Sequence, residues 1–201
     1  MPKIVDHEQY RKELLGKCFD LFAQKGYGSI TMRQISQGLG VSTGTVYHYF
    51  SSKQALFEQL VEETCQQDLV MALAELEGTK TLKESMVALG RYLAKNEEYF
   101  IKWTYLWVDF CQHQDSKEIP GNNIFKRANQ RYHQAACDFF GIQDPVLATF
   151  ILSFIDGLLL RKLQGDEMID FSEQCALLGE ILTAYRGQES EFRSQNLGVR
   201  I

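Results

Sequence analysis

Residues 28–53 read Gly28-Ser29-Ile30-Thr31-Met32-Arg33-Gln34-Ile35-Ser36-Gln37-Gly38-Leu39-Gly40-Val41-Ser42-Thr43-Gly44-Thr45-Val46-Tyr47-His48-Tyr49-Phe50-Ser51-Ser52-Lys53. Thr31 followed three residues later by Gln34 is a capping box, which opens a helix carrying Ile35 and Leu39 inward. Gly38-Leu39-Gly40 breaks that helix after about two turns, since glycine supplies the permissive backbone of a tight turn. Ser42 can cap a further short helix over Thr43–Tyr49. Ser36 has the small side chain that the crossing of two close helices requires, and Ile35, Leu39, Val41 and Val46 can share one core with Phe50. Two short helices across a glycine turn form the helix-turn-helix pattern, whose second helix enters the DNA major groove. That second helix is poor in apolar positions. Thr43, Thr45, Tyr47, His48 and Tyr49 offer donors and acceptors, and Gly44 allows a close approach. Such side chains bond phosphates or touch base edges and thymine methyls. The helix starts at Thr31 and Ser42 also offer N–H groups to phosphates.

Outward from this stretch, the pattern is helical nearly everywhere. Upstream, Leu15, Cys18, Phe19 and Phe22 recur on one face, and Gly26 stops that helix. Downstream, Ser51-Ser52-Lys53-Gln54 reads as a second capping box, opening a long helix with Leu69, Ala72, Leu73 and Leu76 inward and an end near Gly78. Further helices are predicted at 81–95, 97–113, 122–140, 145–164 and 171–187. Asp144-Pro145 forms a cap with proline at the first helical position, and Asp170-Phe171-Ser172-Glu173 resembles another acidic capping box. Residues 188–201 are polar without a clear period and are expected to fray or be disordered. There are no repeats and no strand patterns.

The segments Phe22-Ala23-Gln24-Lys25-Gly26-Tyr27, Thr31-Met32-Arg33-Gln34-Ile35-Ser36, Gly40-Val41-Ser42-Thr43-Gly44-Thr45-Val46-Tyr47-His48-Tyr49-Phe50 and Lys53-Gln54-Ala55-Leu56 together resemble the DNA-binding domain of TetR-type transcriptional regulators. The resemblance is dense over about Leu14 to Leu60. Beyond it only the architecture and Ile155-Asp156-Gly157-Leu158 are similar to the family. It implies an all-α chain with an N-terminal three-helix helix-turn-helix DNA-binding domain (1–53) and a C-terminal helical effector-binding and dimerisation domain (54–187), followed by the tail. It also implies that Thr31, Arg33, Ser42, Tyr47, His48, Tyr49 and Lys53 touch phosphates and that Thr43, Gly44 and Thr45 approach bases. His48-Tyr49 stands where some members have tyrosine then histidine, so either can be the phosphate contact.

Seven aromatics lie between Tyr92 and Phe110, and Phe100, Trp103, Trp107 and Phe110 share one helical face. Two readings stand: plain core, or the wall of a cavity for a small-molecule effector, with Tyr105 and His113 among its polar groups. Residues 146–163 are apolar nearly all round, as in a helix buried on two sides. Phe150, Phe154 and Leu158, with Leu178, Leu182 and Tyr185 of the last helix, are candidates for a four-helix homodimer interface, the alternative being the central helix of a monomer. A two-fold dimer would read a palindromic operator.

The 201 residues are 45% hydrophobic and 23% charged, which excludes a mostly disordered chain and leaves room for one small reader and one helical body. The net charge of −5 looks unfavourable for DNA, but it is unevenly placed. Residues 1–53 hold seven basic and four acidic groups, and Gly28–Lys53 holds no acid. An acidic body would confine DNA contact to the weakly basic head. The start turns polar at Asp6 before any apolar run, so no signal peptide is expected. The apolar stretch from Pro145 meets Asp156 short of the roughly 18 residues a span needs, so no membrane partner is expected. Cys18, Cys65, Cys111, Cys137 and Cys175 are scattered, with no C-x-x-C pair, and read as reduced thiols of a cytoplasmic protein. His133 and Cys137 are four apart and Cys111 and His113 two apart. Neither spacing argues for a metal, and no basic cluster flanks any cysteine to support a redox-sensing thiol. No cofactor is called for. The reading is thus a ligand-responsive homodimeric repressor of double-stranded operator DNA. Its rivals are a small all-helical enzyme using the aromatic residues, for which no nucleophile–base pair, paired carboxylates or phosphate loop speaks, and a helix-turn-helix scaffold that binds proteins.

Overall fold

The computed structural model describes residues 6–114 and 123–197, with side-chain surroundings for 6–114 and 124–187. The described residues form nine helices: α1 (His7–Lys25), α2 (Met32–Leu39), α3 (Thr43–Tyr49), α4 (Lys53–Leu76), α5 (Leu82–Lys95), α6 (Glu97–Gln112), α7 (Asn123–Phe140), α8 (Pro145–Leu163) and α9 (Phe171–Leu197). The all-α class is as expected. The expected first residue of α7, Asn122, lies outside the described residues, as do 1–5 and 198–201.

Local chemistry explains the boundaries. Asp6 caps α1 by accepting the N–H groups of Glu8 and Gln9. At α2 the capping box is complete: the Gln34 N–H donates to Thr31 Oγ1 (3.3 Å), and the Thr31 N–H donates to Gln34 Oε1 (2.9 Å). At α4 the cap is Ser52 rather than Ser51. Its Oγ accepts the Ala55 N–H at 3.0 Å, while Gln54 turns away to donate to Glu58, so the expected second box is a simple serine cap. Asp144 and Asp170 cap α8 and α9 as expected. The expectation of a frayed tail fails over 188–197, where α9 continues to Leu197. After Gly187 this stretch holds no proline or glycine, and six of its ten residues (two Glu, two Gln, one Arg, one Leu) lose little entropy in a helix.

The chain divides into two compact units, Met1–Leu69 with Ile101–Tyr132, and Val70–Phe100 with His133–Ile201. Packing therefore does not divide at 53/54. The reason is that α1–α3 cannot close a core alone. Leu15, Cys18, Phe22, Ile35 and Val46 bury completely only together with Leu56 and Phe57 of α4 and Leu106 and Phe110 of α6. Phe110 stacks on Phe57 with centroids 4.7 Å apart and meets Tyr27 edge-on at the same distance.

In the second unit α5 and α9 run against each other. They can do so because Gly90 has no side chain: a Cβ there would lie 2.8 Å from the Phe171 carbonyl and from Cys175 Cβ. Ala148, Ile151, Leu158 and Leu159 of α8 join Cys175, Leu178 and Leu182 of α9 in this core. Leu73, expected inward on α4, is instead more than half exposed, with only Leu76 of that row buried.

Candidate nucleic-acid interface

The geometry of the head follows from Gly40 and Ser36. Gly40 adopts the left-handed conformation (φ 69°, ψ 27°), in which a side chain would be strained, and its N–H and that of Val41 close the end of α2 onto Gln37 and Ser36. Ser36 is buried at the crossing. Its hydroxyl donates to the Arg33 carbonyl (2.8 Å) and lies 3.1 Å from the Thr43 hydroxyl, so it pins α3 to α2. Val46 is the single fully buried residue of α3. The rest of the helix faces outward: Ser42, Thr43, Gly44, Tyr47 and His48 are exposed, Tyr47 by 52%. Thr31 and Arg33 are exposed as well. The helix starts are less free than the sequence suggested, since Ser42 Oγ accepts the Thr45 N–H (3.0 Å) and pairs with its hydroxyl (2.8 Å).

His48 and Tyr49 differ in how they pack within the head. Tyr49 is half-buried, edge-on to Tyr10 (5.6 Å), with its hydroxyl 2.9 Å from His7 Nδ1, whereas His48 stays exposed. His7, which the sequence reading did not single out, thus lies beside this surface, its ring 6.2 Å from His48. No signal within the helix-turn-helix stretch points to His7, because the first turn of α1 reaches it only through the tertiary fold.

Lys53 departs from its expected role. Its Nζ donates to the carbonyls of Tyr27 (2.6 Å) and Ile30 (3.0 Å) and sits over the Tyr27 ring at 4.5 Å. Burial pushes its pKa down, and the charge of Asp109 partly offsets this. The reason is geometric: Ser52, not Ser51, caps α4, so Lys53 is the first helical residue and turns toward the loop after α1. There it neutralises carbonyls that the glycine-rich turn leaves unpaired. Asp109 of α6 completes this corner, accepting the Gly28 N–H at 3.2 Å and pairing with His113 at 3.3 Å.

The aromatic row is divided between the two units. Phe110 is fully buried in the first core, Trp103 packs on Phe19 (5.3 Å) and Trp107 meets Phe125 edge-on (4.4 Å). Phe100 belongs to the second unit, beside Tyr92 (5.5 Å) and Tyr99 (5.2 Å). Tyr105 is exposed, and His113 is held by Asp109. Of the four side chains proposed for a cavity wall, Phe110 is core and Trp103 and Trp107 are partly buried against the first core, while Phe100 is partly buried against the second. A single helical face allowed the inference, but helix α6 is shared by two cores.

The dimer candidates divide similarly. Leu158, Leu178 and Leu182 are inside the second core, the last two only 2% exposed, and Phe154 is partly buried. Phe150 and Tyr185 are exposed. The uncovered apolar row on α9 is Leu177, Ile181 and the expected Tyr185, and on α8 it is Val146, Phe150 and Leu160.

Among the described residues no group of three His, Cys, Asp or Glu side chains is placed to hold a metal, and no helix is long and apolar enough to cross a membrane.

Residues 14–60 match the family model of bacterial regulatory proteins, tetR family. The HTH-type transcriptional repressor Rv1474c of Mycobacterium tuberculosis is 25% identical over 182 residues, covering 83% of this chain and 90% of its own. The fold is shared with the transcriptional regulator FadR from Bacillus subtilis in complex with stearoyl-CoA (TM-score 0.64, 19% identity, 85% of this chain and 96% of that one). It is also shared with a transcriptional regulator from Saccharomonospora viridis in complex with choline (TM-score 0.62, 19% identity, 88% and 97%).

Proposed function

Since this chain belongs to the TetR family of transcriptional regulators, we propose that it acts in the cytoplasm as a ligand-responsive homodimeric repressor that reads a palindromic operator through α3. The observation that carries this is the uncovered face of α3: one buried anchor, Val46, and exposed Thr43, Gly44, Tyr47 and His48, within a stretch that has no acidic residue. Thr43, Gly44 and Thr45 approach bases. Thr31, Arg33, Ser42, Tyr47 and His48 bond phosphates, and His7 supports Tyr49 at the edge. Lys53 serves the fold of the head rather than the operator.

One seven-residue recognition helix reads few base pairs, so specificity requires two. The exposed rows on α8 and α9 supply an apolar face on which a second copy fits, replacing water on both. Proteins of the same fold have been solved in complex with compounds as unlike as stearoyl-CoA and choline. The chemistry of the effector here is set by this chain's own residues. Any effector acts by binding more tightly to the dimer state whose recognition helices mismatch the operator.

The test is duplex binding from the chain's own promoter region at low salt, with oligomeric state measured on the same sample. A dimer that binds an inverted repeat there supports the reading, and a folded protein that binds no such duplex overturns it. Release of the duplex by acyl-CoA or quaternary ammonium compounds, with the compound recovered unchanged, separates a sensor from an enzyme.

A further inference from the structure

The five thiols differ sharply in surroundings. Cys18 and Cys175 have no solvent exposure, and burial pushes them up to about 12 and about 11. Cys65 is buried and raised, and Cys111, half-buried, is also raised by burial. Cys137 is half-buried and stands one turn from His133 on α7, its Sγ 3.9 Å from His133 Nδ1. The other ring nitrogen, Nε2, lies 3.1 Å from the Pro145 carbonyl at the start of α8. A carbonyl only accepts, so Nε2 carries the hydrogen, and in the neutral ring Nδ1 is then the free acceptor. Sγ therefore lies within a sulfur hydrogen bond's reach of a ring nitrogen whose orientation is fixed by a third group, the arrangement that activates a nucleophile. Spacing alone did not reveal this, because the group that fixes the ring comes from another helix.

We propose that Cys137 is a covalent modification site for soft carbon electrophiles of the α,β-unsaturated carbonyl class, with His133 as its base and the Pro145 carbonyl as the positioning group. Sγ attacks the β-carbon and forms the C–S bond. The π pair moves onto the α-carbon as an enolate, while the thiol proton passes to Nδ1. The imidazolium then returns that proton to the α-carbon, so the product is a neutral thioether and no oxidant is needed. Cys137 also packs against the second apolar core, which suits a reagent with an apolar body.

The probe is N-ethylmaleimide, added below one equivalent to the full-length protein at pH 7, with each cysteine's rate read by peptide mass. Cys137 is expected to take the first adduct, at least about tenfold ahead of Cys111, and His133→Phe to remove that lead, within the span of general-base assistance. A second reading needs no variant: Cys137 should react faster in the native chain than in guanidinium, whereas the other four react more slowly. Mere accessibility cannot make a folded thiol outrun the unfolded one. A native rate at Cys137 below the unfolded rate, or a His133→Phe rate equal to the parent's with helical circular dichroism unchanged, overturns the proposal.

Discussion

Helix α3 and the α8–α9 pair both leave a face uncovered, and the two faces are opposite in kind. On α3 the outward residues are hydroxyls, a glycine, an imidazole and a phenol around one buried valine. On α8 and α9 they are Val146, Phe150, Leu177, Ile181 and Tyr185, immediately beside residues that the chain buries for itself. A polar face with its backbone near the surface suits a hydrated, charged partner read by hydrogen bonds. An apolar row is stable in water only when a similar row covers it. The contrast is what the proposed function rests on, with DNA on the polar face and a second copy of the chain on the apolar one.

The comparison breaks most visibly at Ile181, which is 53% exposed. Ile181→Glu is expected to give a folded monomer by light scattering, with helical content retained. Because linking two modules multiplies affinity by about 10²–10⁴, operator binding should fall by about that factor. Leu178→Glu, one position away but 2% exposed, should instead unfold the second unit. If both variants stay dimeric, the second copy does not sit on this row.

A large effect on stability, not binding, is expected in the aromatic row. Phe110→Ala should destabilise the protein by about 3–5 kcal/mol, read by chemical denaturation, because it empties the centre of a core already filled by Phe57 and Tyr27. A loss under about 1 kcal/mol would mean that the site tolerates a void and would reopen the cavity reading.

These two cases also show why some features were legible in the sequence and others were not. Boundaries were legible where a side chain completes a backbone's hydrogen bonds within a few residues, as at Thr31–Gln34, Asp144 and Asp170. The polar face of α3 was legible because a short helix with one apolar anchor has few ways to pack. What failed was everything decided by two helices at once. The face of α6 serves two cores, the register of α9 separates Leu178 from Leu177 by one position, and Lys53 is turned inward by carbonyls more than twenty residues earlier. Helical periodicity identifies a face but not the neighbour that claims it.

Arg33 and Lys53 sharpen the contrast within the head, since both were expected on phosphates and Arg33 is exposed while Lys53 is half-buried. Arg33→Ala should make the salt dependence of operator binding shallower by about one unit in log–log slope. Lys53→Met should leave that slope unchanged and lower the melting temperature, as the Tyr27 and Ile30 carbonyls lose their donor. Equal loss of slope in both variants would return Lys53 to the DNA.

The smallest expected effect is a pH dependence on α8. Burial by its surroundings raises the pKa of Asp156, so the folded chain favours the protonated acid more than the unfolded chain does. Between the ordinary carboxyl pKa and the raised one, the native state binds more protons. Stability contributed by this group is therefore full below the ordinary value and lost as pH rises through the folded one. Asp156→Asn keeps the shape and removes the charge, so it should melt above the parent at pH 7 and level with it near pH 3. The side chain keeps substantial solvent access, so screening should limit the gain at pH 7 to less than about 1 kcal/mol, a shift of about 2–4 °C at most. Because Asp156 lies on the helix whose outer row is proposed to meet the second copy, the gain should be larger in the parent chain than in Ile181→Glu. An identical gain in both would place Asp156 away from the partner and would narrow the covered surface to α9 and the first half of α8.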